Sequence, residues 1–180
     1  MSQTGGTARY QRSMAGMIGA MLVTVGVIAV FLVFRALTRE QVEVEPQPVD
    51  YLDAVSQLQD VGQRPVHPER LPAGWMATSV DVERGDDPAW GMGVLTEDGR
   101  FVGLRQEEES VGDLLDVLVD EEAREDGAIE VPDSFTTRWT TYVDDGGDHA
   151  YAADVGEETV LVYGSASVDD LEEFLGLLTR

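Results

Sequence analysis

The chain has 180 residues, 35 of them acidic against 12 basic, with no Cys and two His. That composition excludes disulfide and thiol chemistry and leaves no cationic surface for nucleic acid or anionic lipid headgroups. Every basic residue is Arg, and Arg9, Arg12, Arg35 and Arg39 all precede the first acid, Glu40, so eight Arg face all 35 acidic residues in the remainder. Divalent cations or basic proteins suit such a surface better than anions do.

The run Met14 to Phe34, MAGMIGAMLVTVGVIAVFLVF, is uncharged and is closed by Arg12 and Arg35. As a helix its roughly 21 residues rise about 30 Å, the thickness of a bilayer's hydrocarbon core. The run exceeds the apolar region of a secretory signal, and no small-residue cleavage pattern precedes Arg35, so it reads as an uncleaved signal anchor. Arg count is tied across it, and the α-amino group tips the N-terminus inward. The expected layout is a cytoplasmic tail at 1–12, a transmembrane anchor at 13–37, a stalk at 38–49 and one acidic extracytoplasmic domain at 50–180. Ala15, Gly16, Gly19 and Ala20 recur four apart, a spacing that permits weak pairing of two anchors.

Pro46 and Pro48 make the stalk extended. Asp50 can cap a short helix whose Tyr51, Leu52, Val55 and Leu58 share a face, and Gly62 stops it. Pro65 to Trp75, with three prolines, reads as a non-helical lead-in to the core. Period-two alternation then places Met76, Thr78, Val80 and Val82 on one side of a strand, followed by a Gly85-Asp86-Asp87-Pro88 turn. Trp90, Met92 and Val94 alternate likewise, Glu97-Asp98-Gly99 turns, and Phe101, Val102 and Leu104 return. Ser110 with Asp113 forms a capping box ahead of Leu114, Leu115, Leu118 and Val119. The pattern then runs again through Trp139, Thr141 and Val143, an acidic turn at Asp144 to Asp148, Tyr151 and Ala153, Val160 to Tyr163, and a helix capped by Ser167.

The helices SVGDLLDVL at Ser110 and SVDDLEEFL at Ser167 agree in Ser, Val, Asp and both flanking Leu. The spacing that superposes them also lays Val82 on Trp139, Val94 on Tyr151 and Leu104 on Leu161. This argues for an α+β domain of two strand-strand-strand-helix halves that build one antiparallel sheet with helices on one face.

Little in the chain suggests catalysis. His67 and His149 are far apart in sequence, and Ser165 and Ser167 lack the turn that exposes a nucleophile. Asp144, Asp145, Asp148 and His149 form the one cluster with ligand chemistry, hard oxygens on a Gly-rich turn, although the spacing departs from an EF-hand. No phosphate loop or zinc pattern appears, so no cofactor is expected.

Three stretches then carry a resemblance: LPAGW at Leu71 to Trp75, LTEDGRFVGLRQ at Leu95 to Gln106, and VLVYGSASVDDLEEFL from Val160. With the anchor and stalk before them, they make the chain similar to the actinobacterial domain-of-unknown-function family DUF4245. The resemblance implies a single-pass protein with its domain outside the membrane and supplies no catalytic or binding residues. The leading expectation is a non-enzymatic envelope protein whose tethered domain binds another envelope protein or has a structural role. The alternative is a carrier or sensor with an apolar pocket for a lipid or small ligand, lined by Trp75, Trp90, Phe101 and Trp139. A hydrolase of envelope polymers comes last, because no paired acid and base can be named.

Overall fold

The computed structural model describes residues 46–85 and 88–180, together with Met21, Thr24 and Ile28, which are helical. The predicted anchor at Met14 to Phe34 otherwise lies outside the described residues, as do the tail, most of the stalk and Asp86 and Asp87. No helix among the described residues is long and apolar enough to cross a membrane.

Residues Pro46–Arg180 fold as one unit. It contains helices α1 (Tyr51–Asp60), α2 (Val111–Leu118) and α3 (Val168–Gly176). Its strands are β1 (His67–Pro68), β2 (Met76–Glu83), β3 (Ala89–Leu95), β4 (Phe101–Glu107), β5 (Arg124–Glu130), β6 (Arg138–Val143), β7 (His149–Val155), β8 (Glu158–Gly164) and β9 (Leu178–Thr179). Seven of them form one antiparallel sheet in the order β2-β3-β4-β8-β7-β6-β5, and β1 pairs with β9 as a separate ribbon. The class is α+β.

Each helix begins where its cap predicts. The side chains of Asp50, Ser110 and Ser167 accept the backbone N–H of Asp53, Asp113 and Asp170 at 3.2, 3.2 and 3.1 Å, satisfying donors that the first helical turn leaves open. On α1, Tyr51, Val55 and Leu58 are buried, whereas Leu52, expected on the same face, is 44% exposed. In β2 a bulge between Ala77 and Ser79 shifts the register. The extra residue brings Ala77 to the buried side in place of Met76 and Thr78, and the alternation resumes with Val80 and Val82 against the core.

The order places two three-stranded meanders, β2-β3-β4 and β6-β7-β8, side by side along β4 and β8, and adds β5 outside β6 as a seventh strand. The expectation of helices on one face is corrected. Side chains of α1 and α3 pack with Trp90, Met92, Val94, Leu104, Tyr151, Val160 and Val162. Leu114 and Leu115 of α2 pack instead with Ala150, Ala152 and Leu161, the residues that alternate with that set on β7 and β8. The cause lies in β7 and β8, which are apolar at successive positions and so present two faces that must both leave water. The small Ala150 and Ala152 let α2 approach one face closely while larger side chains meet α3 on the other. Leu104 and Leu161, equivalent by sequence spacing, therefore point to opposite sides, and the two halves do not superpose as whole units.

Trp139 is fully buried in the cluster that holds Leu171 and Phe174, edge-on to Phe135 with ring centroids 5.4 Å apart. It sits on β6, one strand in from the β5 edge. Its Nε1 has no hydrogen-bond partner among the described residues, so packing alone holds the indole.

In the 46–180 domain, Trp139→Ala should lower stability by about 3 to 5 kcal/mol, the usual cost of emptying a large aromatic site, and bring a matching fall in the urea midpoint. A mild effect would contradict its core placement. Tyr151 supplies a pH test, since burial, and then the Glu172 carboxylate, push its phenol up to about 12. An unfolded phenol ionises near pH 10. The contribution of Tyr151 is therefore complete below about pH 10 and is lost between about pH 10 and 12, as the unfolded chain gains the favoured anion. Urea midpoints measured across that window should fall more steeply for wild type than for Tyr151→Phe.

Candidate functional site

The four aromatics expected to line a pocket are divided between the two faces of the sheet. Trp75 stacks on Phe174 at 6.4 Å, Trp90 donates its indole N–H to the Val66 carbonyl at 2.9 Å, and Trp139 is enclosed beside Phe135. All three belong to the cluster of α1 and α3. Phe101 lies on the opposite face, edge-on to Tyr163 at 6.0 Å. The four therefore share no common cavity.

That opposite face is covered by α2 chiefly over β7 and β8. Across β3 and β4 it is floored by Gly91, Gly93 and Gly103, whose missing side chains make room for others. A Cβ on Gly103 would stand 2.6 Å from Tyr163 Cζ, one on Gly93 would stand 2.5 Å from Ser79 Oγ and 3.0 Å from Phe101 Cε2, and one on Gly91 would stand 3.1 Å from the Leu104 carbonyl oxygen beside the Arg105 stem. Two rings and an arginine stem thus do here what a helix does on the other half. Between them a groove of about 150 Å³ remains, bounded by Ser79, Phe101, Leu118 and Tyr163.

Arg105 anchors this face. Its guanidinium donates to Asp81 at 2.7 Å, Glu83 at 2.6 Å and Glu107 at 2.9 Å, tying β4 to β2 across the glycine-bearing strand β3. The hydrogen bond to Glu107, ahead of the others, holds the guanidinium's pKa above its ordinary value. The Asp81 and Glu83 side chains are 64% and 58% exposed, so three carboxylates around one cation leave an excess of negative charge facing water.

The other predicted candidates are placed apart from it. Asp144 Oδ1 accepts the backbone N–H of Asp148 at 2.8 Å, and Asp145 pairs with Arg124 at 2.8 Å. The turn is thus tied by its own backbone and by β5. No group of three or more His, Asp or Glu among the described residues is arranged to hold a metal ion. His67 lies in β1 with Nδ1 at 2.9 Å from the Pro65 carbonyl, His149 opens β7, and Ser165 Oγ accepts the Phe101 N–H at 3.3 Å. No nucleophile and base meet among them.

Sequence reasoning missed a cleft of about 270 Å³ at the end of the sheet where β3 begins, β4 ends and β8 begins. Gln106, 3% exposed, organises its floor. Its Oε1 accepts the Val66 N–H at 2.7 Å and its Nε2 donates to Glu158 at 2.9 Å, so it holds the chain after α1 to β8. The one available signal was a polar residue, Gln106, in the inward-facing series Val102, Leu104, Gln106 of β4.

The stretches that carry the family resemblance are used up in similar work. Gly74, at φ 83°, makes the turn in which Trp75 N–H returns to the Pro72 carbonyl at 3.1 Å. Gly164 crosses the Phe101 carbonyl so closely that any Cβ would overlap it, and Ala166 N–H then donates to that carbonyl at 3.1 Å. Gly103→Ala should cost about 1 to 3 kcal/mol, because the added methyl must displace the Tyr163 ring. In a Tyr163→Ala background most of that penalty should vanish, a non-additivity that a double-mutant cycle in urea would read. Equal penalties in both backgrounds would show that the ring does not cover this glycine.

A search of curated proteins finds no significant match. The profile described as protein of unknown function (DUF4245) matches residues 9–178, almost the whole chain. The chain belongs to the DUF4245 family.

Proposed function

We propose that the chain is an envelope protein held in the plasma membrane by the helix Met14 to Phe34, its N-terminus in the cytoplasm. Its Pro46–Arg180 domain is a non-enzymatic module that binds a basic protein partner. The observation that carries this reading is the open sheet face centred on Arg105, where Asp81, Glu83 and Glu107 outnumber the one cation they surround. A surface of that kind attracts cations and turns away phosphate backbones. The uncharged length and flanking Arg of the N-terminal run support the anchor. A carrier of lipid has less behind it, since Trp75, Trp90 and Trp139 pack into a filled core and Phe101 lies across the sheet from them.

The test combines location with charge. Protease added to spheroplasts should remove the domain and spare the tail before Arg12, and a protected domain would reverse the proposed orientation. Crosslinked capture from membranes should recover a basic partner with wild type. Recovery should fall several-fold with Asp81→Asn/Glu83→Gln, two exposed substitutions expected to leave the fold intact. Equal recovery would remove this face from the binding surface.

A further inference from the structure

The geometry points to a basic amphipathic helix as the partner's docking segment, lying along β3 and β4 with one apolar side chain in the groove beside Phe101. The proposal rests on the reading of the acidic face as a protein-binding surface and names what that surface takes.

Strand pairing sorts the open face by polarity. Leu95 stands opposite Phe101, and Gly93 stands opposite Gly103, with Ser79 and Tyr163 on either side of them. Two residues farther along come Asp81, Gly91 and Arg105, and then Glu83, Ala89 and Glu107. Apolar side chains thus gather where the β3–β4 hairpin turns, and acids gather at the other end, about 20 Å away along the strands. Arg105 bonds Asp81 through Oδ2 and Glu83 through Oε1. A carboxylate accepts at both oxygens, and these side chains are more than half exposed, so each has an oxygen to offer a cation from another chain. At the apolar end Leu118 of α2 helps bound the groove of about 150 Å³, room for one aliphatic or aromatic side chain.

The backbone of the occupant follows from the same face. Strands β2, β3, β4 and β8 spend their main-chain donors and acceptors on one another, so a segment lying over them must satisfy its own. A helix does this and a lone extended segment does not. The strip beside α2 is three strands wide, about 14 Å, which seats one helix of about 10 to 12 Å diameter. Helix on sheet is also how α2 closes this side over β7 and β8. Charge selects the helix: α1, α2 and α3 carry acids and no Arg or Lys, so a helix of a second copy would be repelled, whereas Lys or Arg beside an apolar stripe meets Asp81 and Glu83.

The Pro46–Arg180 domain would be titrated with a blocked 14-residue peptide of Leu and Lys, about the length of the strip, whose Leu recur three and four apart. The controls are the same residues in strict alternation, and the helical spacing with Glu in place of Lys. The first peptide should give saturable NMR shifts at the Gly93 and Gly103 amides and gain helical circular dichroism. The alternating peptide should bind at least about tenfold more weakly, the loss of one buried apolar anchor, and the Glu peptide should not bind. Ser79→Trp, an exposed change that fills the groove, should also cost about tenfold. Asp81→Asn/Glu83→Gln should weaken binding several-fold, and Val61→Trp, exposed at the end of α1 on the other side of the sheet, should leave it unaltered. Unchanged shifts elsewhere would show that the variants remain folded. Equal binding of both Lys peptides, or full affinity in Ser79→Trp, with a loss in Asp81→Asn/Glu83→Gln would overturn the helix and leave a basic partner standing. Absence of saturation with the first peptide, or an equal loss in Val61→Trp, would also overturn the helix. Full affinity in Asp81→Asn/Glu83→Gln would overturn both readings.

Discussion

The two-sided burial of β7 and β8 is the constraint on which the rest of this domain depends. Val160, Leu161 and Val162 are all fully buried, and successive residues of a strand point to opposite faces, so neither side of the sheet can be left to water. One side is closed by α1 and α3, the other by α2. Helix α2 is only Val111–Leu118 long, too short to cover both halves of its side. The uncovered part over β3 and β4 must be sheltered by something shorter than a helix, which is where the three glycines and the side chains of Phe101, Tyr163 and Arg105 come in. The acidic face is thus a by-product of where one short helix is needed most.

Much of this was legible in the chain. Capping residues fixed the three helix starts, and alternation located β2, β3, β4, β6, β7 and β8, because local hydrogen bonding and period-two burial leave direct marks. Strand β5, REDGAIE, left none: it is an exposed edge bent at Gly127, φ 119°, and its charges hide its pairing with β6. The ribbon of β1 and β9 was equally silent, since two residues carry no period. The face taken by α2 was mistaken because the likeness of two capped helices spoke of local sequence, whereas the choice of face depends on which sheet surface still needs cover. The cleft was invisible because Arg64, Gln106, Glu158 and Arg180 come together only through the order of the strands.

The fate of the family stretches bears on how function should be sought. Gly74, Gln106 and Gly164 each serve a turn, a clasp or a close backbone crossing, and Trp75 serves the core. A signature of that kind describes how a fold is held together and does not by itself mark a binding surface.

The two edges of the sheet carry a consequence of their own. On β2 the backbone is bent by the bulge near Ala77 and followed by Asp81 and Glu83; on β5 a second irregularity falls between Glu125 and Gly127, beside Asp126 and Glu130. An unpaired strand is a template on which another copy of the same sheet can grow, and bends and like charges are what prevent it. Copies of this domain that come edge to edge therefore meet bends and like charges in place of a flat template, which opposes the growth of one sheet onto the next.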